Sequence, residues 1–311
     1  MSRSHKNRPA ARAGVGASCV HTPAGPWRCW LDFLAQRFPA VSRAQWEQRL
    51  QAQEVLDENG TPVAGDARYV AATRLYYFRK VDDEVPIDCQ ESIVWEDEHL
   101  VIADKPHFLP VIPSGKYVRE TLLVRLKDRL QSETLVPVHR IDRDTAGLVM
   151  FSRHPASRGV YHALFRERQM HKVYHGIAAW NPDLDWPLCR SSRMVAAAHF
   201  MQQTEEPGEP NAVTWIRPLE VAHGLALYEL KPLSGQRHQL RVHMNALGLP
   251  LLGDGIYPRL TPEGSQDFSR PLQLLAKSLR FTDPLSGVER QFDSAQRLDL
   301  RQALQRFPRA P

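Results

Sequence analysis

The densest polar stretch of the 311-residue chain is Val138-His139-Arg140-Ile141-Asp142-Arg143-Asp144-Thr145-Ala146-Gly147, which runs straight into apolar Leu148-Val149-Met150-Phe151. Polar side chains gathered at the mouth of a buried strand are where binding and catalytic sites concentrate. Asp142 has an arginine two residues before it and another directly after it. A cation within a few ångströms lowers an aspartate pKa by about 1–3 units, so such a carboxylate stays ionised at neutral pH. It is then available as a nucleophile or as the stabiliser of a developing positive charge. Taken alone, the stretch reads more simply as a surface salt-bridge cluster.

Composition narrows the partners of such a carboxylate. Hydrophobic residues make up 42% and charged residues 24%, an ordinary globular balance, and the length suits one large domain plus a small one. No apolar run approaches the roughly 18 residues of a membrane helix, and the N-terminus lacks the apolar core of a secretory signal. Cys19, Cys29, Cys89 and Cys189 are scattered with no CxxC pair, which disfavours a zinc knuckle or disulfide framework and points to a reducing, cytoplasmic compartment. The net charge is +5, and residues 119–180 alone hold eleven Lys/Arg against six Asp/Glu. A field of that kind attracts polyanions, nucleic acid above all, although a solvated basic face is the plain alternative.

The chain also lacks the signatures of rival chemistries. His238 and His243 are five apart, on different faces of a helix, and no HExxH is present, so no metal site is expected. There is no Walker loop or GxGxxG, and Gly253-Asp254-Gly255 is too short for a phosphate cradle, so no nucleotide cofactor is expected either.

The elements that must position Asp142 follow from pattern. Residues 1–25 carry Arg3, Lys6, Arg8 and Arg12 without an acid, and read as a disordered basic tail. A small module over 26–85 follows, with helices at Trp27–Pro39 and Arg43–Gln53, the second capped by Ser42, and a tight turn at Asn59-Gly60 before a strand within Val70–Arg79. Acidic Val81–Cys89 reads as a linker, and residues 90–311 as the main domain. There, strands are expected at Ile93–Trp95, Leu100–Ala103, Leu148–Phe151, Lys172–Ala179, Ala212–Leu219 and Leu225–Lys231. Helices are expected at Glu120–Leu130, Pro155–Arg168 and Gln236–Leu247, the last stopped by Gly248 and Pro250. Pro182–Asn211 reads as a loop-rich excursion.

Four segments, in order, carry a family resemblance. His139-Arg140-Ile141-Asp142-Arg143-Asp144-Thr145-Ala146-Gly147-Leu148 resembles the His-Arg-Leu-Asp-x-x-Thr-Ser-Gly-Leu signature of RluA-type RNA pseudouridine synthases. Asp104-Lys105-Pro106 with Leu109-Pro110-Val111 and Pro113-Ser114-Gly115 resembles the family's leading strand and loop, and Lys172-Val173-Tyr174 its Lys-x-Tyr strand. Gly235-Gln236-Arg237-His238-Gln239-Leu240-Arg241-Val242-His243, with Gly253-Asp254 and Tyr257 beyond, resembles its Gly-x-x-His-Gln-Ile-Arg-x-His helix. The resemblance spans about two thirds of the chain, Ser92 to Pro284. Ser42-Arg43 and Asn59-Gly60 give the N-terminal module a fainter likeness to a diverged S4-type RNA-binding module, against the alternative of a purely structural cap.

The resemblance implies a mixed α+β fold with a largely antiparallel central sheet. It implies a cofactor-free enzyme that breaks the N-glycosidic bond of uridine in ribosomal or transfer RNA and rejoins uracil through carbon 5. Asp142 falls on the essential aspartate, with Asp144 its rival within the motif; Tyr174 falls on the tyrosine that contacts the uracil and is a candidate to take the proton from its carbon 5, and Arg241 on the cation paired with the aspartate. The uridine must leave its stack, and by resemblance Arg140 fills the space it vacates, while His139 positions the loop or touches RNA. Lys105, Lys172, Arg166 and Arg168 are candidates for phosphate contacts, as is Arg237 one helical turn before Arg241. The chain departs from the family at Gln236 and Arg237, at Ala146 in place of serine, and at His107-Phe108 in place of a small, glycine-containing pair. The competing reading is a non-catalytic RNA binder or RNA chaperone on the same fold. A monomer is favoured, with RNA as partner and no membrane attachment.

Overall fold

The computed structural model describes residues 9–10, 14–79, 84–115, 117–262 and 267–308. The chain divides into two compact units, one of residues 1–85, 113–119 and 124–133, the other of residues 86–112, 120–123 and 134–311. The smaller unit thus takes two segments from beyond residue 85 that the sequence had assigned to the main domain.

In the smaller unit, β1 (Ser18–His21) and β2 (Val55–Leu56) flank β3 (Arg74–Tyr77) in an antiparallel sheet, joined by α1 (Trp30–Arg37) and α2 (Arg43–Gln51). The helices form where expected, and Ser42 caps α2 in a full capping box, its hydroxyl accepting from Gln45 N at 3.2 Å. The Asn-Gly turn also forms, with Gly60 at φ +84° and Asp57 Oδ1 accepting from Asn59 N and Thr61 N. Phe33, Leu34, Trp46, Val55 and Leu75 make the core. One expectation needs correction: the segment read as a disordered tail to residue 25 contains β1, whose register runs Ser18↔Tyr77 to His21↔Arg74. Ala17 and Val20 are buried there, so ladder hydrogen bonds and a small apolar contribution outweigh the low-complexity composition. Residues 1–8 and 11–13 of that reading lie outside the described residues.

The larger unit opens with β4 (Ser92–Glu96) and β5 (Leu100–Lys105), and α3 (Leu122–Leu130) starts in it. It continues with β6 (Val136–Pro137), β7 (Ala146–Ser152), α4 (Arg158–Arg166), β8 (His171–Ala179), β9 (Leu188–Ala196) and β10 (Gln203–Glu206). β11 (Ala212–Ala222), β12 (Leu225–Pro232), α5 (Gln239–Ala246), β13 (Leu274–Thr282), β14 (Glu289–Asp293) and α6 (Leu300–Arg306) complete it. Its sheet runs β10-β9-β11-β12-β8-β13-β7-β5-β4, with β14 on β13 and β6 on β7. Among the described residues only β7 and β13 pair in parallel, Ala146 opposite Leu275 and Gly147 opposite Ala276. The expected mixed fold on a largely antiparallel sheet is what forms.

Two apolar clusters fix the helices on this sheet. Tyr161 and Leu164 of α4 pack with Leu100, Ile102, Leu148, Met150 and Phe281, while Leu240 and Met244 of α5 pack with Tyr228, Leu230, Leu251 and Leu274. The loop-rich reading of Pro182–Asn211 is overturned by β9 and β10, paired from Gln203↔Ala196 to Glu206↔Arg193. β9 buries only Met194 fully and carries Arg190, Ser191, Ser192 and Arg193, so no apolar alternation marked it.

Candidate active site

The polar run ends where β7 begins, and Gly147 sets that junction. It adopts φ +107°, and a Cβ there would stand 2.2 Å from the Ala276 carbonyl oxygen of β13. Only glycine lets the parallel strand come this close. The loop before it is held from several sides. Val138 N donates to Met150 O at 2.8 Å, Met150 N donates to His139 Nε2 at 3.1 Å, and Thr145 N closes a turn on Asp142 O. From beneath, the Lys105 ammonium donates to Arg143 O at 2.9 Å and Pro106 O at 3.0 Å, and His107 Nδ1 lies 2.7 Å from Asp144 O.

On this loop the Asp142 side chain is 28% exposed and meets α5. Arg241, 1% exposed, donates from Nη1 to Asp142 Oδ2 at 3.1 Å. Its other edge grips Asp254 in a bidentate pair, Nε to Oδ2 at 2.8 Å and Nη2 to Oδ1 at 2.6 Å. Such a fork fixes the guanidinium in plane as well as in place. Asp254 is set in turn by Ile256 N and Tyr257 N, which donate to Oδ1, and by Gly253 at φ +72°, whose Cβ would meet Pro271 O at 2.4 Å. His238 Nε2 stands 3.7 Å from Asp142 Oδ1, while its Nδ1 is 3.0 Å from the Tyr257 hydroxyl.

These neighbours set the charges. Burial pushes the Asp142 carboxyl up, but Arg241, then His238 and Lys105, pull it further down, leaving it below its ordinary value. Burial also lowers His238, despite Asp142 beside it. Arg241 is therefore the cation that keeps Asp142 anionic at neutral pH; burial alone would lower it, and its pairs with Asp254 and Asp142 raise it. Tyr174 of β8 lies opposite Ala276 of β13, the residue that also faces Gly147. Burial first, and then the Asp142 charge, push its phenol up, so it is held protonated.

The structure thus brings Asp142, Arg241 and Tyr174 around one point, and leaves Arg140 exposed on the loop. Asp144 pairs with Arg143 Nε at 3.0 Å. Of the expected RNA contacts Lys105 is corrected, His139 holds the loop through its bond from Met150 N, and Lys172 and Arg237 each make internal bonds. Lys105 is fully buried, its ammonium spent on two carbonyls and pushed down to about 7 by burial. Lys172 donates to Ser234 O at 2.8 Å, tying β8 to the segment before α5. His139 turns inward, its ring stacked on Phe165 at 4.5 Å and its pKa pushed by burial to about 3. Arg237 does not share a helix with Arg241, because α5 starts at Gln239 after His238 takes a left-handed conformation at φ 57°. The Gln239 side chain accepts from Gln236 N and the Ser234 hydroxyl, folding the preceding residues around itself.

Asp254, His238 and Tyr257 were given no role from sequence. Asp254 and Tyr257 were visible only as a Gly-Asp and a tyrosine at a fixed distance beyond α5. Among the described residues no group of three or more His, Cys, Asp and Glu is placed to hold a metal ion, and no helix is long and apolar enough to cross a membrane.

With this geometry in view, comparison with known proteins is specific. Residues 99–246, from just before β5 to the end of α5, match the family model described as RNA pseudouridylate synthase. The chain is 31% identical over 235 residues to an uncharacterized RNA pseudouridine synthase of Synechocystis sp., covering 73% of this chain and 78% of the relative. It is 30% identical over 277 residues to ribosomal large subunit pseudouridine synthase D of Haemophilus influenzae, covering 82% and 83% respectively. In fold it is similar to human RNA pseudouridylate synthase domain containing 4, with a TM-score of 0.54 and 24% identity over 70% of this chain and 92% of that one. The matched residues include the loop of Asp142, the strand of Tyr174 and the helix of Arg241, and the chain belongs to the RluA-type family of RNA pseudouridine synthases.

Proposed function

We propose that this synthase isomerises a uridine of ribosomal or transfer RNA with Asp142 as its nucleophile, acting without a cofactor, as a monomer and in the cytoplasm. The observation that carries the assignment is the Asp142–Arg241 pair: one carboxylate oxygen is held at 3.1 Å by a buried guanidinium while the side chain keeps 28% of its surface open. The dense cationic stretch over residues 119–180 suits either RNA.

Asp142 attacks the ribose, at the anomeric carbon or by taking the neighbouring proton, as the bond to uracil N1 breaks and leaves its electron pair on the base. Positive charge develops on the sugar, and a preorganised carboxylate stabilises it strongly where water is scarce. The detached uracil turns and carbon 5 bonds the anomeric carbon as the bond from Asp142 to that carbon breaks, or as Asp142 returns the borrowed proton to the sugar; the proton lost from carbon 5 balances the one gained at N1. Tyr174, held as a neutral phenol, packs against the base and donates rather than starting as a proton acceptor. Arg140, exposed beside Asp142, takes the place of the extruded base.

Pseudouridine mapping of RNA from cells lacking the protein, resupplied with wild type or Asp142→Ala, tests this. Wild type restores at least one modified uridine and Asp142→Ala restores none. A pattern unchanged by Asp142→Ala sinks the assignment.

A further inference from the structure

We propose that Phe200, at the tip of the hairpin joining β9 to β10, is a stacking platform for the RNA base next to the uridine at Asp142. The inference rests on the functional reading above and specifies how that site grips its substrate. Phe200 exposes 76% of its surface, the highest value for a large apolar side chain among the described residues, and neighbouring Met201 exposes 36%. A single exposed apolar residue is ordinary on a protein surface. What distinguishes this one is how its backbone is held.

Arg237 donates from Nη1 to Phe200 O at 2.9 Å and from Nη2 to Met201 O at 3.3 Å. Gln202 Nε2 donates to Ile256 O at 3.0 Å, and Gln203 N donates to the Tyr257 hydroxyl at 2.8 Å. Within the tip, Gln202 N closes a turn on His199 O, and the His199 ring lies 5.0 Å from that of Phe200. The anchors belong to the active site. Arg237 directly precedes His238, which stands 3.7 Å from Asp142, and the Tyr257 hydroxyl bonds His238. Ile256 and Tyr257 donate to the aspartate that clamps Arg241. The tip that bears the ring is therefore tied through its backbone to residues that border the nucleophile.

The chemistry of the rim favours a base over a phosphate. Arg237, which holds the tip, has two of its donors on carbonyls, and Arg190 is paired with Glu205. When a uridine leaves its stack, the bases on both sides lose a partner; Arg140 in the vacated space covers one of these faces, and an exposed ring can cover the other. Such stacking tolerates any base and typically gives about tenfold in affinity or more.

The uridine identified by mapping is placed in a short synthetic RNA with a fluorescent adenine analogue on one side or the other. Wild type quenches the analogue at one of the two positions. Phe200→Ala loses that quenching and lowers kcat/KM about tenfold, mainly through KM, while Phe200→Trp restores both. An abasic nucleotide at the same position makes wild type and Phe200→Ala bind equally. Retention by Phe200→Ala of wild-type quenching and KM overturns the platform while leaving the catalytic reading intact. A wild-type protein that modifies no RNA sinks both.

Discussion

Arg241 divides its guanidinium between two carboxylates, one structural and one open to the cleft. The Asp254 side fixes its orientation and the Asp142 side transmits it. Arg241→Met should therefore do two things at once. Removing one member of a buried pair costs about 3–5 kcal/mol, so the melting temperature falls clearly in a thermal scan. Turnover should drop at least about 10³-fold, since the nucleophile loses both its orientation and its counter-charge. RNA affinity, measured by equilibrium binding, should change only severalfold, because a group 1% exposed touches no phosphate; equal losses in binding and turnover would reduce Arg241 to an RNA contact. At this scale the sequence was informative about what it could name. Asp142, Tyr174 and Arg241 sit in motifs whose order is itself evidence. Lys105, Lys172 and Arg237 were read as RNA contacts because a lone cation in a sequence does not reveal whether backbone carbonyls already take its donors. Lys105 spends two of its donors this way and is fully buried, Lys172 spends one, and exposed Arg237 spends two of five.

At the scale of elements, the nucleophile's loop depends on a strand far away in the chain. Gly147 exists in its conformation to let β13 pass, and Gly147→Ala forces a Cβ against the Ala276 carbonyl. The backbone must shift, at roughly 2–4 kcal/mol, and the shift falls at the base of the Asp142 loop. The expected outcome is a lowered melting temperature together with lost turnover; normal stability and activity would mean that β7 and β13 part easily. Most elements were legible where apolar periodicity was clean, as in β5, β7, β8, β12 and the body of α5. β9 and β10 were not, because half-exposed strands bearing arginines and serines (β9) or glutamine, threonine and glutamates (β10) are stabilised by their ladder rather than by burial. The start of α5 was misplaced because Gln239 folds the preceding residues around its own amide, an interaction without periodicity. β1 was hidden by a basic, small-residue context that resembles a tail.

At the scale of the whole molecule, buried charge leaves a mark on stability. Lys105 titrates at about 7 in the folded protein against an ordinary 10.5. Between those values the unfolded chain holds a proton that the folded one lacks, so this group alone makes stability rise with pH, by up to about 1.4 kcal/mol per pH unit. Below pH 7 both states are protonated and the slope vanishes. Denaturant unfolding of wild type and Lys105→Met across that window should show this slope in their difference, whatever the offset between them; parallel curves would mean that the buried ammonium keeps its ordinary affinity. Asp142 gives a slope of the same sign at a lower pH, stability again rising with pH, because its folded value too lies below its unfolded one. Its contribution is complete above its unfolded value near 3.8 and is lost only as pH falls through a lower folded value, so acid inactivation at milder pH must come from other groups.

The pairing of β7 with β13 also bears on synthesis. Gly147 leaves the ribosome long before Ala276, and so does Asp142 before Arg241 and Asp254. A growing chain displays its nucleophile with no counter-cation and β7 with one flank bare, at a time when ribosomal RNA is close by. Catalytic competence can then arise only after translation has passed β13.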